Sequence, residues 1–272
     1  MTLQEKYPHK SSLSSSQTTN TAISASSSKS DLSRKRSRGS LSVGAVCAAL
    51  LVSACGIIST NILDKTFSLS AQKFSMDFGA TTGKVPTVTC ASAGDSACAT
   101  LGSQVSAAGG SATGMCDTST KACYANISVT KSYPVSLSND ASFAQTVGSR
   151  AISVVKAIEL NYSANNGSTV NLPDMNLYIG PETAKNVTDK DVVLIDKIPG
   201  IPKGTSVPSG TRKIVVPSGT PAFERFSYYL QNPKVSFLLL MTATPTVRAG
   251  EDLPKGQVEI SVTPAFTVGL PL

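Results

Sequence analysis

The chain has 272 residues, a formal net charge of +7, one histidine and no tryptophan. Residues 1–55 contain seven Lys and Arg but only two Asp and Glu, so the rest of the chain carries just +2 of that charge. Because a nucleic-acid-binding domain needs a basic face on its folded part, we predict no nucleic-acid partner. The single histidine, His9, precedes any folded domain, which excludes Ser-His-Asp, Cys-His and His-metal chemistry there.

Residues 1–40 are rich in Ser and poor in apolar side chains, so they cannot bury enough surface to offset the entropy of ordering. We predict a disordered basic tail that ends in the cluster Arg34–Arg38. The apolar segment 41–54 follows. It is shorter than the ~20 residues that a spanning helix needs. The order of basic, apolar and small residues is typical of a secretory signal.

The apolar segment ends in Val52, Ser53 and Ala54, directly before Cys55, and these four residues resemble the lipobox of bacterial lipoproteins. The resemblance implies cleavage before Cys55, a lipid on its sulfur and, usually, an acylated new N-terminus. It implies a membrane partner reached through that lipid and a location at the outer membrane, on its periplasmic or surface face. Residues 55–64 would then be a lipid-anchored linker.

An alternative keeps the apolar segment in the membrane. No charged residue lies between Arg38 and Asp64, so residues 41–63 also fit a tilted spanning helix with the basic tail left inside. The chain would then be a single-pass type II protein of the inner membrane with an exported β domain. In that layout it resembles plant late-embryogenesis-type β-sandwich proteins.

The cysteines predict two disulfides. Once Cys47 is assigned to the apolar segment and Cys55 to the lipid, four remain: Cys90, Cys98, Cys116 and Cys123. An even number in an exported segment favours disulfides. A hairpin turning at Ser119 and Thr120 would place Cys116 opposite Cys123, so of three connectivities we predict Cys116–Cys123 and Cys90–Cys98. Two-residue cysteine spacings and a nearby histidine are missing, so we predict no metal site.

Residues 65–272 are predicted to form one β domain with a Cys-bridged insertion at about 79–123. Apolar and polar residues alternate with the period of a half-buried strand. The predicted strands fall at 67–78, 152–162, 170–179, 192–195, 214–216, 235–244 and 258–262. Even positions from Ile152 to Tyr162, Lys156 included, are predicted to share one face. The strand at 235–244 is predicted to be central, and Pro264 indicates a bulge or an edge.

Two short helices are predicted, at 141–149 and 221–230. Thr220 can cap the second, whose aromatic stripe is expected to pack under a sheet. The fold class is therefore all-β, a mainly antiparallel β-sandwich. The order of anchor, linker and β domain resembles that of immunoglobulin-like sandwiches in cell-envelope lipoproteins.

Carboxylates are the remaining catalytic candidates. Asp189 with Asp191, and Glu251 with Asp252, are expected in solvated turns, without the spacing of a calcium loop. We predict no catalytic residues, no enzyme activity and no cofactor. The favoured function is binding or scaffolding an envelope protein or polymer, with the Cys-bridged segment as the first candidate surface and a groove between the sheets as the second. A hydrolase using Asp189, Asp191 or Glu224 is the third hypothesis.

Overall fold

The computed structural model describes residues 62–106 and 111–272. These residues contain eleven strands, three α-helices and one 3₁₀ helix, Leu137–Asn139. The strands are β1 (Ile62–Ser68), β2 (Gln72–Asp77), β3 (Ser111–Asp117), β4 (Ala122–Val135), β5 (Val154–Asn166), β6 (Met175–Pro181), β7 (Val193–Ile198), β8 (Ser206–Val215), β9 (Phe237–Ala243), β10 (Thr246–Arg248) and β11 (Gln257–Pro271). The helices are α1 (Ser96–Ser106), α2 (Ala141–Thr146) and α3 (Pro221–Gln231).

The strands form two antiparallel sheets that enclose a common core, so the predicted antiparallel sandwich is confirmed. Sheet one has the order β1-β11-β5-β8, with β2 beside β11 beyond the end of β1. Sheet two has the order β10-β4-β9-β6-β7, with β3 beside β4. Strand β9 is central in sheet two and buried along almost its whole length, as its apolar sequence predicts.

Strand β11 pairs with β5 on one side and with β1 and β2 on the other. Its inward positions alternate as predicted, with Val258, Ile260 and Val262 completely buried. Pro264 is neither at an edge nor at a bulge. Pro264 lies between the β11 residues that pair with β2 and those that pair with β1. In this gap its carbonyl accepts from the Leu69 N–H at 2.8 Å. The missing N–H of proline points to the same gap, so no ladder hydrogen bond is lost.

The prediction for Lys156 is wrong. The register between β5 and β11 shifts at Thr267 and Val268, so that Val155 turns inward and Lys156 turns out to solvent. There its ammonium pairs with the Asp64 carboxylate at 2.6 Å. A β-bulge adds one residue to a strand and reverses the alternation beyond it, which here keeps the lysine charge out of the core.

Both predicted helices are confirmed. Thr220 Oγ1 accepts from the Phe223 N–H at 3.3 Å and caps α3. The aromatic stripe packs in the core, where the Phe226 ring lies 5.8 Å from that of Phe266 and 6.0 Å from that of Phe237. Helix α2 begins after Asp140, whose side chain accepts from two N–H groups of the first turn at 2.9 and 3.1 Å. The sequence did not predict α1.

Asp140 also joins α2 to the end of β1, because its second oxygen accepts from the Ser70 N–H at 2.8 Å. Burial by itself raises the pKa of this carboxyl, but the three N–H donors outweigh that effect and hold the pKa below its ordinary value. The ionised form is therefore the one that the folded state stabilises.

We predict that Asp140→Ala lowers the free energy of unfolding at pH 7 by about 2 kcal/mol, because the helix loses its cap and a part-buried N–H loses its acceptor. Because the folded pKa is depressed, this stabilisation is present above the unfolded pKa of about 3.9 and is lost as the pH falls through the folded pKa. Urea unfolding of both proteins at pH 7 and at pH 3 measures the difference, which should shrink at pH 3. An equal difference at both pH values would contradict the role of the charge. Asp196→Ala, at an exposed carboxylate, is the control.

Asn166 is a fully buried amide at the end of β5. Its Nδ2 donates to the carbonyls of Val170 and Ile201, both at 2.9 Å. Its Oδ1 accepts from the N–H and the hydroxyl of Ser168 at 3.1 and 2.6 Å. This one side chain therefore ties β5 to two loops and satisfies their buried polar atoms.

We predict that Asn166→Ala costs about 3 kcal/mol of unfolding free energy, because it leaves several buried polar groups without partners. The matched control is Asn165→Ala, one residue earlier and exposed, which should change stability by less than about 0.5 kcal/mol. Chemical denaturation measures both. Similar losses for the two variants would show that the amide network is not the cause.

Candidate functional site

The Cys-bridged segment was the first candidate surface. We call residues 85–106 and 111–123 the cysteine module. Its disulfides join Cys90 to Cys116 and Cys98 to Cys123, with Cα–Cα distances of 5.9 and 5.3 Å. The prediction that all four cysteines are oxidised is confirmed, and the predicted pairing is wrong.

The hairpin itself forms as predicted. Cys116 and Cys123 lie opposite each other in β3 and β4, and Asp117 accepts hydrogen bonds from Ser119 across the turn. The side-chain and backbone donors of Ser119 lower the pKa of Asp117 to about 2. The two facing cysteines do not bond to each other because each meets a sulfur from the segment that covers the hairpin.

Helix α1, which was not predicted, belongs to that segment and carries Cys98. Its buried positions are Cys98, Leu101, Gly102 and Val105, a helical spacing that includes only two large apolar residues. The helix lies directly on β3. A Cβ on Gly114 would come within 1.7 Å of the Cys98 carbonyl oxygen, so only glycine allows this approach. The module is thus a packed unit, held by two disulfides and by the contact of α1 with β3.

The sulfurs of Cys90, Cys98 and Cys116 lie within 4.8 Å of one another, which is close enough to share an ion. Each is bonded in a disulfide, however, and only the thiolate is an effective metal ligand. In the structure these sulfurs therefore cross-link the segment 90–98 to the hairpin of β3 and β4 and are not free to bind a metal.

A second candidate is a trough on the outer face of sheet one, away from the core. Its cavity volume is about 640 Å³. Four strands contribute polar side chains to its lining: Lys73 and Ser75 from β2, Ser163 and Asn165 from β5, Ser206 from β8, and Glu259 and Ser261 from β11.

An irregularity of β8 borders this trough. Val207 pairs with Ala164 and Arg212 pairs with Tyr162, so residues 208–211 of β8 have only Ser163 opposite them. Gly210 there has a φ of 76°, which glycine adopts without strain. Irregularities of this kind turn a strand away from its neighbour and are frequent beside binding sites.

The groove expected between the sheets is small. A cleft of about 190 Å³ lies where Met76, Asp77 and Phe78 meet residues 128–131 of β4. The facing interior positions of both sheets belong to one buried apolar core. The outer trough is therefore the larger of these two spaces.

Two of the candidate carboxylates, Asp189 and Asp191, are bonded to local groups. Asp189 accepts from the N–H groups of Lys185 and Asn186, which lower its pKa. Asp191 pairs with the Arg225 guanidinium at 2.9 Å. Glu224 borders a depression of about 270 Å³ on α3.

Two further carboxylates are equally engaged. Glu251 accepts from the Arg248 N–H at 2.7 Å, and Asp252 pairs with Lys84 at 2.7 Å. Within residues 62–106 and 111–272, every carboxylate whose pKa departs clearly from its ordinary value is shifted downward. A general acid requires the opposite shift.

The lipobox residues Val52, Ser53, Ala54 and Cys55, together with the tail and the apolar segment, lie outside the described residues. Among the helices that the structure does describe, none has both the length and the apolar character to cross a membrane.

Comparison with known proteins leaves the family open. No family model matches the chain, and no curated protein matches it. A solved chain of Desmodium yellow mottle tymovirus aligns with 92% of this chain and 98% of its own length, at 7% identity and a TM-score of 0.25. A TM-score this low does not establish a shared fold. The function proposed below therefore rests on the residues of this chain itself.

We predict that peptide mapping without reduction recovers the connectivity of the structure. Cleavage before Asp95 and Asp117 and after Met115 places each of the four cysteines on a separate fragment. The fragment that ends at residue 94 should be linked to Cys116, and fragment 95–115 to the fragment that begins at Asp117. A link between Cys90 and Cys98 would contradict the structure.

Replacing both Cys98 and Cys123 with Ser should lower the free energy of unfolding by about 3 kcal/mol, because the unfolded chain gains the freedom that the disulfide-closed loop had lost.

Proposed function

We propose that this chain is a lipid-anchored protein of the bacterial cell envelope, attached to the outer membrane through Cys55, with a non-catalytic binding or scaffolding role. The observation that carries the proposal is the pairing of the cysteines. All four cysteines after Cys55 are paired in two disulfides. Disulfides persist in oxidising compartments, which supports export, and Cys55 is left as the one cysteine of the exported part available for a lipid.

Several features of the sequence support the anchor. The basic cluster, the 14-residue apolar segment and the small residues before Cys55 follow the order of a secretory signal. One acyl chain gives only marginal membrane binding, at about 0.8 kcal/mol per buried methylene, whereas two or more give stable attachment. A fully acylated Cys55 would meet that requirement.

The non-catalytic role is supported by the commitments of the candidate carboxylates. Asp189 receives two backbone hydrogen bonds, and Asp191 is held in an ion pair. The hydrogen bonds to Asp189 lower its pKa, so this carboxylate is a poor proton donor. The exported part also has no histidine and no cysteine outside the disulfides except Cys55.

Cys55→Ala should abolish lipid attachment and leave an unprocessed precursor. The measurement is metabolic labelling with an alkyne fatty acid, together with the intact mass of the purified protein. Cys47→Ala is the matched control, because it removes a cysteine from the same apolar segment and should leave labelling unchanged.

Two results would contradict the proposal. A mature chain that retains residues 1–54 without lipid would favour the type II alternative. Hydrolysis of an envelope polymer by the purified protein, abolished by Asp191→Asn or Glu224→Gln, would overturn the non-catalytic role.

A further inference from the structure

We propose that the trough on the outer face of sheet one is the binding site of this protein and that its ligand is a neutral, polyhydroxylated chain, that is, a glycan. The inference rests on the proposed function, because it names the ligand of an envelope-binding domain. It replaces the cysteine module as the primary binding surface.

First, several polar groups in the lining of the trough have no protein partner within the described residues. Elsewhere on this face, Lys156 pairs with Asp64 and Lys213 pairs with Glu159. Within the trough, Lys73 and Glu259 form no ion pair within the described residues, although they lie on adjacent strands.

Among the uncharged side chains of the lining, the Ser75 hydroxyl accepts from Gln257 Nε2 at 2.7 Å. The side chains of Ser163, Asn165 and Ser261 make no hydrogen bond to any residue of 62–106 and 111–272. These groups line the trough together and remain available to a ligand.

The second argument is the chemistry of the lining. Serine hydroxyls and the asparagine amide both donate and accept hydrogen bonds, and so do the hydroxyls of a sugar. One lysine and one glutamate leave the lining without net charge, so it does not match a phosphate chain or a nucleic acid. Phe74, Ala164 and Ile260 of the lining turn into the core, and the side chains that point outward are polar, which is a poor match for a lipid tail. A chain of neutral sugars is the ligand class that fits all three properties.

The third argument is the position of the trough in the domain. Cys55 is separated from the first residue of β1, Ile62, by only six residues, and Ile62 pairs with Pro271 of β11. Glu259 and Ser261 lie ten to twelve residues before Pro271 on the same strand. At about 3.3 Å per residue, the trough lies roughly 35 Å from the strand end that follows the linker. A domain tethered at Cys55 would therefore keep the trough accessible to a polymer beyond the membrane surface.

The test measures binding of the full-length protein in detergent to a panel of neutral oligosaccharides that includes chitohexaose and maltohexaose. The variant Asn165→Ala/Ser261→Ala should weaken binding by at least tenfold. Asn161→Ala is the matched control, because Asn161 lies on β5 four residues from Asn165 but outside the trough lining. Its affinity should stay within twofold of the unmodified protein. Thermal unfolding must be unchanged in both variants.

Binding to no neutral glycan of the panel would overturn the inference, and so would equal losses in the trough variant and the control. Binding that survives the trough substitutions but is lost in Cys98→Ser/Cys123→Ser would return the site to the cysteine module. Binding of an acidic polymer or a peptide in place of neutral sugars would also overturn it. Lipid labelling is scored separately. Loss of labelling with glycan binding intact rejects the anchor, and labelling without glycan binding rejects only the ligand.

Discussion

Strand β11 is the element on which sheet one depends, because three other strands hydrogen-bond to it directly. It pairs with β5 from Val258 to Gly269 on one side, and on the other it meets first β2 and then β1. A strand with partners on both sides has to bury one face and to hydrogen-bond its backbone groups on both edges. The alternating apolar residues of β11 provide the buried face. Pro264, which has no N–H to donate, lies in the gap between β2 and β1, where no ladder hydrogen bond is missing.

The same long strand gives the outer face of sheet one its character. Facing the interior, β11 and β5 contribute apolar residues to the core, and facing out they carry hydroxyl, amide and charged side chains. Lys213 of β8 and Glu159 of β5 pair across neighbouring strands. The trough lies where β8 departs from the regular register, and Ser163, Asn165 and Ser261 in its lining make no hydrogen bond within the described residues. The proposed binding site therefore lies beside an irregularity of the sheet, at polar groups without a protein partner.

The cysteine module solves a different physical problem. Its residues are small and polar, and by themselves they would bury too little apolar surface to order the segment. Two disulfides and the close contact of α1 with β3 at Gly114 compensate for that deficit. The module is therefore held to the sandwich mainly by disulfides and close backbone contact, with few large apolar side chains. In an oxidising compartment such cross-links persist, which connects this local packing to the proposed location of the protein.

Much of the fold follows from local patterns in the sequence. The alternation in β2 and β11, the apolar run of β9, the helices α2 and α3 and the Thr220 cap of α3 were all predicted, because period and capping residues are local properties. The pairing of the cysteines was not, since facing positions in a hairpin do not reveal a helix that folds over it. The outward turn of Lys156 and the burial of Asn166 likewise depend on partners more than 30 residues away in the chain, namely Asp64 and Ile201. The trough combines side chains from four strands, so only the register between those strands brings them together. The sequence by itself determined the strand pattern, the oxidation of the cysteines and the signal-like start of the chain. The tertiary structure decided which sulfurs meet and which polar groups remain free, because both depend on contacts between segments distant in sequence.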